Sequence, residues 1–301
     1  MDIQFWRALR PLPQTPPPGF LSRTLLLPKA PSAFPPPRGH HLTRCVRPAR
    51  PVRASDQHCV QSVSSPLGSG KVERRLRRSG ERFHSRRDWL ESWHSFSFAE
   101  HHDPAWMGFG PLRVINDDTI AAGAGFGLHP HRDMEIITVM VEGELEHRDS
   151  LGHSQRLRAG EVQRMTAGTG VLHSEMNTSA RPCRLLQIWI EPERRGLPPS
   201  YDQRPFAVGR GWTQLLDPQG GEGAMVIQRS VRLFRACPGP GDVLALPCVP
   251  ARLAWLQLIS GAVVAPELLQ AGDGVGWRTG VDPAPLVAGD SGADVLLFEL
   301  G

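Results

Sequence analysis

Apolar and polar positions alternate with a period of two along much of this chain, and few stretches carry the 3.6-residue period of a helix. Met134 to Val141 is a β-branched run closed by Glu142-Gly143, and Glu144-Leu145-Glu146-His147 follows it, which predicts a hairpin. Leu185 to Ile190 reads as a buried strand closed by Pro192. Leu112 to Ile115 reads as a strand ending at Asn116-Asp117-Asp118, and Ser95-Phe96-Ser97-Phe98 as a short one. Gly108-Phe109-Gly110-Pro111 and Ala159-Gly160-Glu161 mark turns. Short strands between glycine-rich turns predict an all-β fold, a sandwich or barrel.

The pattern recurs in the second half. Trp255 to Gly261 echoes the strand ending at Gly143, and Ala271-Gly272-Asp273 echoes Ala159-Gly160-Glu161. Val295 to Leu300 echoes the strand before Pro192. The reading is a duplicated β-domain: a leader over 1–75, a first barrel over 76–205 and a second over 206–301. Ordered structure is expected to begin near Arg82.

Composition changes this picture at one end. The chain has 301 residues, 40% of them hydrophobic, enough for one large domain or two modest ones. Its net charge of +4 is compatible with nucleic-acid binding. However, the first 55 residues hold nine Lys/Arg and one acid, which leaves 25 basic and 29 acidic residues beyond them. The body is mildly acidic, and no direct nucleic-acid binding is expected of it. Twelve prolines in those 55 residues predict a disordered leader. An organelle transit peptide is Arg-rich and acid-poor like this one, but only three serines occur here. A start assigned too far upstream accounts for the leader equally well. Five cysteines, an odd count at irregular spacing with no CxxC pair, argue against a disulfide framework and fit a reducing compartment. The expected location is cytoplasmic, or an organelle if the leader is a transit peptide. No run of 18 apolar residues occurs, so no membrane helix is expected. We expect a monomer.

Two motifs carry chemistry: His129-Pro130-His131 and His173-Ser174-Glu175. Residues two apart in a strand point to the same face. If the two strands face each other inside a barrel, three imidazoles and one carboxylate converge, a plausible ligand set for a divalent metal. His-x-His alone is weak, because chance gives about half an occurrence in a chain this rich in histidine. Glycine turns feeding both motifs, Gly125-Phe126-Gly127 and Gly168-Thr169-Gly170, add weight. Pro130 between two ligands requires an edge strand or a strand's first residues. All twelve histidines lie between His40 and His173. Counting back from Gly261 by the offset that reaches His129 and His131 from Gly143 gives Pro247 and Val249. The second barrel therefore lacks a histidine metal site and is a structural partner or a lid.

These residues resemble the pirin family of bicupins, in its bacterial quercetin 2,3-dioxygenase branch. The resemblance runs through Ser95 to Phe98, Gly108 to Asn116, Gly125 to Glu135, Gly143 to Ser150, Gln163 to Glu175 and Leu186 to Trp189. It implies two stacked cupin β-barrels, with His129, His131, His173 and Glu175 binding the metal in the first. Glu135, four residues after His131, matches the general cupin glutamate; strand parity puts it on the ligand face, and we place it behind the ligands. Fe(II) leads among the ions, with Ni, Mn, Cu(II) and Zn also compatible with nitrogen and oxygen donors. The implied activity is dioxygenation of a small planar phenolic substrate of the flavonol type by dioxygen, with Glu175 as ligand and base. The alternative, carried by eukaryotic pirins, is a non-enzymatic, redox-sensitive, iron-binding regulator. Phe126 and Met165 read as core more than pocket. His147 and His153 read as surface residues, Trp89, Trp93 and Trp106 as packing, and Cys183, Cys237 and Cys248 as small apolar residues. Arg132 is either solvent-exposed or a contact to substrate.

Overall fold

The structure is a computed structural model, and it describes residues 74–247, 252–278 and 284–301. The predicted leader lies outside the described residues, apart from its last two positions. No α-helix occurs among the described residues. The first strand, β1 (Arg74–Arg77), starts earlier than the pattern suggested, and it pairs with a strand of the second module.

The first module is two sheets. The larger has seven strands: β2 (Phe83–Arg86), β3 (Leu90–His94), β4 (Leu112–Ile120), β6 (Glu135–Glu142), β9 (Glu161–Thr166), β11 (Cys183–Ile190) and β12 (Ser200–Pro205). Their order is β12-β9-β6-β11-β4-β3-β2. The smaller sheet has four strands in the order β5-β10-β7-β8: β5 (Gly125–His131), β7 (Glu144–Asp149), β8 (Ser154–Arg158) and β10 (Val171–Met176). The expected hairpin at Gly143 is corrected here: β6 and β7 belong to different sheets. Gly143, at φ 74°, carries the chain across, and a Cβ there would sit 2.9 Å from that of Cys183.

Two further expectations shift. Ser95 to Phe98 is not a strand; it follows β3 and is closed by a bridge between Phe98 and His101. β4 does not stop at Asn116-Asp117-Asp118 but runs through it, because each polar side chain has a partner. Asn116 pairs with His94 at 2.8 Å, Asp117 accepts from Arg184 at 2.8 Å, and Asp118 accepts from Ser92.

Strand β11 explains how the core is divided. Leu186, Ile188 and Ile190 point to a cluster shared with Leu215, Trp255, Phe298 and Leu300 of the second module. Cys183 and Leu185 point the other way, into a cluster with Met140 and Leu157, and Trp189 into another with Val114 and Ile136. A strand buried on both faces reads as a continuous apolar run. The odd positions face the barrel interior, which is apolar at both ends and polar in between.

The second module is a nine-stranded sheet containing β13 (Thr213–Asp217), β15 (Val231–Ala236), β17 (Leu253–Val264), β19 (Gly274–Arg278) and β20 (Leu286–Leu300). Its central order, β19-β17-β20-β15, repeats β9-β6-β11-β4 of the first module. The turns preceding β9 and β19 also match, with Gly160 at φ 86° and Gly272 at φ 85°.

Candidate metal centre

His129 and His131 come from β5, and His173 and Glu175 from β10. These strands are paired neighbours rather than opposing walls, with His129 directly across from His173. β5 is an edge strand, which is how it accommodates Pro130. The rings of His129, His131 and His173 lie 4.3 to 4.8 Å apart, centroid to centroid. One nitrogen of each lies within 4.8 Å of the others. A register shift between His173 and Glu175 sets the carboxylate opposite Phe126 on one side and His147 on the other. Glu175 accordingly shares an overlapping group with His147 and His173.

The geometry decides which ring nitrogens carry protons. His129 Nδ1 donates to the Gly127 carbonyl at 2.7 Å, which places its lone pair on Nε2. His173 is fully buried, and its Nε2 has no hydrogen-bond partner. Leaving such a group unsatisfied costs about 1–3 kcal/mol, and a bound metal removes that cost. Burial pushes the imidazolium form down for all three: His131 falls to about 3, helped by His129, while His129 and His173 are lowered. Neutral imidazoles are the form that binds a metal. The donor set therefore fits a divalent ion.

The polar middle of the barrel holds Glu175. Its Oε1 accepts from Thr138 Oγ1 and Gln163 Nε2, each at 3.2 Å, and its Oε2 accepts from Gln187 Nε2 at 2.9 Å. The Tyr201 hydroxyl donates in turn to Gln163 Oε1 at 3.1 Å. Nearby, a narrow cavity of about 10 Å³, room for about one water, is lined by Ser92, His94, Asn116, Asp118 and Phe126. Burial raises the Asp118 carboxyl to about 7 and lowers His94 to about 4.

Several expectations are corrected. Glu135 faces away from the histidine cluster: Thr166 Oγ1 and the backbone amide of Gln228, in the second module, donate to its carboxylate at 3.0 and 3.3 Å. The parity count fails because β5 ends at His131 and the chain turns at Asp133, φ 51°, into another sheet. His147 is not on the surface but fully buried beside His173, and its pairing opposite Glu175 puts it there. His153 is half-buried, stacked on Tyr201. Phe126 and Met165 are core, and Phe126 also meets the His129 ring edge at 6.4 Å. Arg132 is exposed. Trp189, for which no site role was expected, sets its ring against His131 at 5.0 Å. Trp93 stacks on His84 and Trp106 takes the guanidinium of Arg77, while Trp89 packs against Phe126. Cys183 is buried, its thiol pushed up to about 11 by burial, and Cys237 is half-buried. Cys248 lies outside the described residues.

Residues 74–190 match the family model described as Pirin. The quercetin 2,3-dioxygenase of Escherichia coli K12 is 42% identical over 75% of this chain and 97% of its own length. The chain belongs to the pirin family. The second module of this pirin matches the quercetinase C-terminal cupin domain over residues 214–300, so both modules are cupins. Pseudomonas aeruginosa has a putative quercetin 2,3-dioxygenase 40% identical over 72% of the chain and 95% of its own length. The crystal structure of the bacterial pirin YhhW from E. coli in complex with nickel(II) is 42% identical and covers 75% of this chain and 98% of its own, with a TM-score of 0.71.

Proposed function

We propose that this pirin is a metal-dependent dioxygenase acting on flavonol-like phenols, with His129, His131, His173 and Glu175 holding the metal. The observation that carries this reading is the unpartnered, fully buried His173 Nε2 among three closely spaced neutral imidazoles. The relatives named quercetin 2,3-dioxygenase and the nickel-bound pirin support it. A divalent ion held by these residues would supply Lewis acidity that lowers the pKa of a substrate hydroxyl. Fe(II) and Ni(II) are both compatible with the donors.

The chain's own residues do the rest. Glu175 takes the proton of the flavonol hydroxyl on a carboxylate oxygen, and Thr138, Gln163 and Gln187 fix the direction in which that oxygen points. Trp189 and Phe126 supply apolar walls beside His131 and His129 and keep water from the reacting atoms. The test is Glu175→Gln in protein that retains its metal. Oxygen uptake with quercetin is expected to disappear; an unchanged rate would remove Glu175 from the chemistry. No uptake by metal-loaded wild-type protein across a flavonol panel would leave the regulatory role instead.

A further inference from the structure

We propose that Asp149 and His147 form a hydrogen-bond relay that fixes the proton of His173 on Nδ1 and so turns its Nε2 lone pair toward the metal. The relay rests on the metal-site reading above and assigns two residues to it that the ligand motifs do not contain.

The argument follows the protons inward. Asp149 has no exposed side-chain surface. Its Oδ1 accepts the backbone amides of Leu151 and His153 at 2.9 and 3.0 Å, and its Oδ2 accepts from His153 Nδ1 at 2.9 Å. The loop after β7 therefore holds this carboxylate in place. An ionised carboxylate only accepts, so His147 Nε2, at 3.2 Å from Oδ2, carries the proton. His147 Nδ1 is left with a lone pair and lies 3.5 Å from His173 Nδ1. His173 Nδ1 then carries its proton toward His147, and the opposite nitrogen is the unpartnered Nε2. With both nitrogens of His147 engaged, that ring is a positioning residue rather than a ligand.

The same scaffold orients Glu175. Tyr201 stacks on the His147 ring at 4.6 Å and 26°, and its hydroxyl reaches Glu175 through Gln163. The cross-strand pairs His173 with Asp149 and Glu175 with His147 put these groups in register between β10 and β7. His129 gets its tautomer from a backbone carbonyl, whereas His173 has no such carbonyl partner and depends on the relay.

The test compares His147→Gln with His147→Leu in the full chain, by Ni(II) competition against a chromophoric chelator. Gln offers an amide donor to Asp149 and a carbonyl acceptor to His173; Leu offers neither. Partners of this kind typically change metal affinity 10–100-fold, so Leu is expected to weaken Ni(II) binding by about that factor and Gln to recover most of it. Equal affinity in all three proteins would overturn the relay. Equal loss in both variants would also overturn it, by reducing His147 to a packing residue. If the Leu protein does not fold, as its metal-free melting curve will reveal, proton NMR of Co(II)-loaded wild-type protein decides. Two strongly shifted, slowly exchanging ring N–H signals are expected, that of His129 held by the Gly127 carbonyl and that of His173 held by His147; only one overturns the relay. If wild-type protein binds neither ion, the metal-site reading itself falls, and the relay with it.

Discussion

The two cupin modules share a strand order but have opposite interiors. In the first, Gln187, Thr138 and Gln163 lie side by side across β11, β6 and β9, and all three donate to Glu175. In the second, the matching row across β20, β17 and β19 is Leu297, Leu256 and Val275. All three are buried in an apolar cluster with Phe234 and Trp277. One scaffold thus supports two solutions. A row of polar side chains survives inside a barrel only when a further group satisfies it, and in the first module that group is Glu175. Where no carboxylate enters, the row is aliphatic and the barrel is filled by packing. The first module gives up apolar filling for a site; the second supplies packing, and through Leu215, Trp255, Phe298 and Leu300 it buries the outer face of the first.

This contrast can be broken at graded points. The largest effect is expected from His173→Ala, which should reduce bound divalent metal at least about 100-fold, since a ligand matters no less than its supporting partner; elemental analysis checks it. Next comes acid. In the metal-free fold His94 and His131 have values of about 4 and 3, below the ordinary 6.5 of the unfolded chain. Their contribution is whole above pH 6.5 and is lost as pH falls toward 4 and then 3. Asp118 runs the other way: raised from 3.8 to about 7, it withdraws stability as pH rises through that interval. Thermal melts of apoprotein across pH should show the acid loss, and Asp118→Asn should flatten the change up to about 7.

A third probe moves to the second module. Leu297→Ala should cost about 2–5 kcal/mol by denaturant unfolding and leave metal content unchanged. The mildest is Gln187→Leu, which copies the second module's residue into the first. It strands Glu175 Oε2 without its donor and should cost about 1–3 kcal/mol, with slower oxygen uptake. A stabilised and fully active Gln187→Leu protein would mean that the polar row does not serve the carboxylate.

Much of this was legible in the chain. Gly143 and Gly261, and Gly160 and Gly272, mark equivalent turns, so the duplication could be read from punctuation alone. The i, i+2 spacing of the motifs put the three histidine rings close together, because period two is a property of any strand. What the pattern did not reveal depends on pairing between distant strands. Glu135 obeyed the parity of a continuous strand, but Asp133 interrupts it. His147 looked like a surface residue near a turn, yet its partner is Glu175, 28 positions away in sequence. The pattern His-x-Asp at His147 and Asp149 was a signal of the same kind as His129-Pro130-His131 and His173-Ser174-Glu175. Asn116-Asp117-Asp118 resembled a strand end because its partners, His94, Arg184 and Ser92, lie on other strands.

The most direct test is the coordination of metal in anaerobically purified full-length protein, by elemental analysis joined to X-ray absorption. We expect a single divalent ion per chain with three imidazole nitrogens and a carboxylate oxygen, lost in His173→Ala and retained in Leu297→Ala. Protein that carries no such ion, or keeps it after His173→Ala, would contradict the account.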